Sequence, residues 1–102
     1  MVNWRKLARS IPHRVQITSK VFYEVCFVSD FPDGNTLGET RFEQKQIALK
    51  QGLSPKLTVV TYIHELAHAF AFENGANYTE NQILASEKSF YFFLKPDNIF
   101  KS

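Results

Sequence analysis

Polar and apolar residues alternate over much of the first half of this chain and recur every three or four positions over the second half. A short amphipathic start precedes the alternation: in residues 3–9, Trp4, Leu7 and Ala8 are spaced as on one face of a helix, and Pro12 closes the segment. Residues 13–18 then alternate, and after Ser19-Lys20 so do residues 21–28, which predicts two strands joined by a tight turn. Asp30 to Asn35, with Pro32 and Gly34, carries the residue types of turns. Residues 37–43 and 46–50 are shorter strand candidates, the first polar and interrupted by Gly38, as suits an edge strand.

Ser54-Pro55 pairs an N-cap residue with proline at the first helical position, so a helix is expected from there to the stop at Asn74-Gly75. Its apolar stripe is Val59, Ile63, Leu66 and Phe70, expected to pack on the sheet and leave His64 and His68 on its flank. Thr79 and Gln82 form a capping box that opens a last helix over about 80–94, ended by Lys95-Pro96. Strands first and helices after read as α+β: an antiparallel-rich, twisted sheet of about four strands, a short N-terminal helix and a helical hairpin covering the sheet.

Composition narrows the possibilities. A chain of 102 residues, 44% hydrophobic and 15% aromatic, is sized for one core, so residues 1–102 are read as one domain. The net charge of +2, with no long basic run, gives no sign of a nucleic-acid partner. No segment approaches the length of a membrane span, the N-terminus lacks the apolar core of a signal peptide, and the single Cys26 has no partner for an internal disulfide; a soluble, cytoplasmic protein is expected.

The chemistry is concentrated in His64-Glu65-Leu66-Ala67-His68, an H-E-x-x-H pentapeptide inside the expected helix. Residues four apart share a helix face, so both imidazoles can reach one Zn²⁺ ion, while Glu65, turned by roughly 100°, is placed to touch a water rather than the metal. In that role it is the general base. Catalytic zinc takes three protein ligands, and the last helix offers Glu80 and Glu87. With the two helices antiparallel about a turn near residue 76 or 77, Leu66 faces residue 87, which makes Glu87 the expected ligand and Glu80 the reserve. His13 is a more remote candidate.

These residues, with Gly38-Glu39-Thr40-Arg41, Ile47 to Lys50, Gly52 to Pro55 and Leu84 to Lys88, give the chain a resemblance to the gluzincin metallopeptidases. More closely it resembles the minigluzincins and other short proteins with SprT-like or ImmA/IrrE-like cores, over most of residues 12–95. The resemblance implies a zincin-like half-domain in which two histidines and a glutamate on a following helix hold zinc, and peptide-bond hydrolysis. Larger thermolysin-like members carry an aspartate four residues after the ligand glutamate, where this chain has Tyr91. Tyr91 either offers a hydroxyl to His64 or belongs to the aromatic run Phe90 to Phe93 that fills the core. Tyr78 is a candidate transition-state donor.

A peptide or protein substrate would pair with the edge strand carrying Gly38, Glu39, Thr40 and Arg41. Weak or latent, zymogen-like activity is expected, with the tail Asp97 to Ser102 docked in the cleft. Two rivals are a zinc-stabilised binding or regulatory module without catalysis and an SprT-like peptidase acting on DNA-bound proteins. Oligomeric state is left unassigned.

Overall fold

The computed structural model of the protein describes residues 2–75. The expected last helix with Glu80, Glu87 and Tyr91, the loop residue Tyr78 and the tail Asp97 to Ser102 lie outside the described residues. In chain order the elements are α1 (Trp4–Arg9), β1 (Arg14–Gln16), β2 (Phe22–Val28), β3 (Gly38–Arg41), β4 (Gln46–Lys50) and α2 (Pro55–Glu73), an α+β arrangement.

Short-range side-chain bonds shape the first elements. The Asn3 side chain caps α1 by accepting from the Lys6 N–H at 3.0 Å, and Leu7 is buried where α1 packs against α2. Between β1 and β2 the Thr18 hydroxyl accepts from the N–H groups of Lys20 and Val21, holding the turn. In β2, Tyr23 and Val25 face the core while Phe22 and Glu24 face outward; Cys26, on the outer face, is only half-buried.

The sheet order β1-β2-β4-β3 keeps the antiparallel-rich reading and adds a parallel pair at its centre. β1 with β2 and β3 with β4 are antiparallel, but the central pair, β2 with β4, runs parallel, so the sheet is mixed. The loop after β2 carries the chain past the place of β4 to the far edge, and β4 returns into the gap. Ile47, Ala48 and Leu49 are consecutive and all fully buried, Ile47 and Leu49 on the face beneath α2 and Ala48 between its strand neighbours Cys26 and Glu39.

Ser54 accepts from the Leu57 N–H at 3.2 Å and opens α2 with Pro55 at its first turn; Asn74 and the left-handed Gly75 (φ 69°) follow its end. Val59, Ile63 and Leu66 are buried and Phe70 packs beside them, but Thr58, Thr61, Tyr62, Ala67, Ala69 and Ala71 are buried as well, so α2 is enclosed well beyond one stripe. Burial of Tyr62 pushes its phenol up to about 12.

The far end of α2 is fastened by a polar cluster. Glu73 sits at the negative end of the helix dipole, an unfavourable place for a carboxylate, and two partners offset this. The Lys45 ammonium lies 2.5 Å and the Tyr23 hydroxyl 2.6 Å from its Oε2. Lys45 occupies a left-handed position (φ 57°) in the β3–β4 turn, and Phe42 from the same turn stacks on Phe72. The hydrogen bond from Lys45, then that from Tyr23, holds the Glu73 carboxyl below its usual value, while burial and the bonded carboxylate raise the Tyr23 phenol.

Candidate metal centre

On α2 the two histidines stand one turn apart with both rings half-buried, and their Nε2 atoms are 3.2 Å from each other. Two imidazole nitrogens this close need a proton or a cation between their lone pairs. A tetrahedral zinc with bonds of 2.0–2.1 Å to nitrogen holds two such atoms about 3.3–3.4 Å apart, so the side chains fit the ion with little rearrangement.

Glu65 projects differently. It is only 9% exposed, although it is a glutamate in the middle of a helix. Its surroundings come from β3, where Gly38 and Thr40, two residues apart, share the face turned to α2. A Cβ built on Gly38 would stand 3.3 Å from Glu65 Cγ, so the bare glycine makes room for the side chain. The Thr40 hydroxyl lies 2.9 Å from Glu65 Oε1 and 2.9 Å from the Glu65 backbone oxygen. Glycine below and threonine above form a slot for the carboxylate arm.

The four strand residues expected to meet a substrate thus divide by face. Glu39 and Arg41 lie on the sheet face away from α2 and pair with each other at 2.5 Å, with Arg41 also donating to Gln46 at 3.3 Å. Only Gly38 and Thr40 face the site. Among the described strands β3 is an outermost one, as its polarity led us to expect.

Beside His64 and Glu65 opens a cleft of about 390 Å³, lined also by Thr36, Leu37, Gly38, Val60 and Thr61. Its helix-side lining was legible but not read: Val60 and Thr61 precede His64 by four and three residues and therefore share its face. Thr40 as the partner of Glu65 was also missed as such, since only the pairing of β3 with β4 turns it toward the helix.

Among the described residues, no third His, Cys, Asp or Glu joins His64 and His68 in a group able to hold a metal. His13 is excluded by the topology: its backbone oxygen accepts from Val25, which pairs with Ile47, which pairs with Thr40, so the full sheet, roughly 14 Å at ~4.8 Å per strand, separates it from the site edge. Also among the described residues, no helix is long and apolar enough to cross a membrane. Compared with protein-family models, curated proteins and solved structures, the chain matches none.

Proposed function

We propose that the chain is a zinc-dependent peptidase of the minigluzincin type, with His64, His68 and Glu87 as the metal ligands, Glu80 in reserve, and Glu65 as general base. The observation that supports this reading best is the pair of Nε2 atoms 3.2 Å apart with a buried carboxylate held on the adjoining residue. A helix carrying two ordinary histidines and an ordinary glutamate has no reason to enclose the glutamate in a slot of the edge strand.

Zinc, when bound, supplies a Lewis acid that polarises the scissile carbonyl and acidifies a water. Glu65 accepts the proton of the attacking water and delivers it to the leaving amine, so that the carbonyl carbon gains the water oxygen as the C–N bond breaks. β3 offers its outer edge to an extended peptide, and the cleft by Leu37 and Val60 suits one apolar side chain of it.

The test is elemental analysis of the purified protein together with cleavage of an unstructured protein with and without chelator. Zinc near one per chain and chelator-sensitive cleavage are expected, with Glu65→Gln retaining zinc and losing about 10²- to 10⁴-fold in rate. A protein that neither contains nor takes up zinc overturns the site. A zinc-loaded chain that cleaves nothing overturns the peptidase and leaves the binding module.

A further inference from the structure

We infer that Thr40 is a positioning residue for catalysis, its hydroxyl fixing the carboxylate of Glu65; the inference rests on Glu65 acting as the general base. The side chain of a glutamate turns about three bonds, and a base that must meet one water in one direction loses effectiveness with each rotamer it samples. Here the arm is held at two points. Gly38 receives it at Cγ, where a Cβ would stand only 3.3 Å away, and Thr40 bonds it at Oε1 over 2.9 Å.

The threonine is itself anchored to α2. Its single proton has two acceptors on the same residue, Oε1 and the backbone oxygen, each at 2.9 Å. While Glu65 is a carboxylate, the hydroxyl donates to Oε1. When the other carboxyl oxygen, Oε2, takes a proton from water, Oε1 remains an acceptor for the hydroxyl. The hydroxyl therefore stays bonded, and the arm stays in place, through both forms that turnover requires. Neither valine, which lacks the hydroxyl, nor alanine offers this. Because Thr40 belongs to the outermost strand, the residue that orients the base also belongs to the strand that meets the substrate.

The test uses the full, zinc-loaded chain in four forms: wild type, Thr40→Val, Thr40→Ser and Thr40→Val combined with Glu65→Gln. Zinc content, thermal midpoint, kcat and KM on an unstructured protein are measured for each. Thr40→Val, close in shape to threonine, is expected to keep zinc and to keep KM within about twofold while kcat falls about tenfold or more. Thr40→Ser is expected to recover kcat to within about threefold of wild type, and Thr40→Val to cost nothing further in the Glu65→Gln background.

A Thr40→Val enzyme within about twofold of wild type in kcat, a Thr40→Ser enzyme as slow as Thr40→Val, or additive losses in the combined variant overturns the positioning role while leaving the base assignment standing. Full activity in Glu65→Gln, or a zinc-loaded wild type without turnover, overturns the base assignment and the positioning role together.

Discussion

A Cβ placed on Gly38 would fall 2.6 Å from Cγ2 of Thr61, closer than two carbon atoms approach, so the absence of a side chain at Gly38 sets how near β3 comes to α2. The same point would lie 3.2 Å from the Ala48 backbone oxygen, which the central strand cannot easily move. Gly38→Ala is expected to destabilise the fold by about 1–3 kcal/mol through overpacking, measured by chemical denaturation. Adding Thr61→Ser, which removes the opposing methyl, should restore part of that loss. A Gly38→Ala protein as stable as wild type would show that the strand yields freely.

Zinc content tests the proposed ligands against their neighbours. His64→Ala or His68→Ala should each abolish stoichiometric zinc, read by elemental analysis after dialysis. Glu87→Ala should weaken zinc far more than Glu80→Ala. The reverse order would mean that the register expected for the helix over about 80–94, from a turn near residue 76 or 77, is wrong by about two turns.

Acid should release the fastening at the end of α2. The folded value of Glu73 lies below its ordinary 4.5, so its contribution is complete above that value and is lost as pH falls through the lower, folded value. Thermal midpoints measured from pH 6 downward should fall more steeply for wild type than for Glu73→Gln, which has no carboxyl there to protonate. Parallel curves would show that Lys45 and Tyr23 add nothing to the acid response.

Tyr23→Phe removes the hydroxyl that donates to Glu73 and leaves Lys45 as its partner. A loss of about 1–2 kcal/mol is expected in urea unfolding. Glu73 closes the C-terminal end of α2, beyond His68, so zinc content should be unchanged in the same variant.

Where the chain's chemistry is local, it was readable. Ser54-Pro55 and Asn74-Gly75 mark the ends of α2 to within a residue, because each of these acts on backbone groups a few positions away; the cap by Asn3 and the turn bonds of Thr18 are as local but were not read. The two imidazoles were readable for the same reason, their spacing being a property of the helix alone. Strand order was not. That β4 enters beside β2 in parallel depends on a choice between distant partners, and the only trace of it is the unbroken Ile47-Ala48-Leu49 run, which suits either orientation. The slot around Glu65 inherits that difficulty, since Gly38 and Thr40 acquire their neighbour only from the placement of β3.

The insertion of β4 between β2 and β3 also orders events during folding. β3 and β4 are linked by a short turn and can close on each other quickly, whereas β4 meets β2 only after the whole stretch from residue 29 to 45 has been looped out. The pairing of β4 with β2 is therefore the non-local step in completing the sheet. The spacing of the two imidazoles, by contrast, needs only the helix that carries them. Glu65 has neither glycine nor threonine beside it until the hairpin arrives. The spacing of His64 and His68 thus belongs to one helix, whereas the setting of Glu65 belongs to the whole sheet, since it exists only where β4 has joined β2 and brought β3 with it.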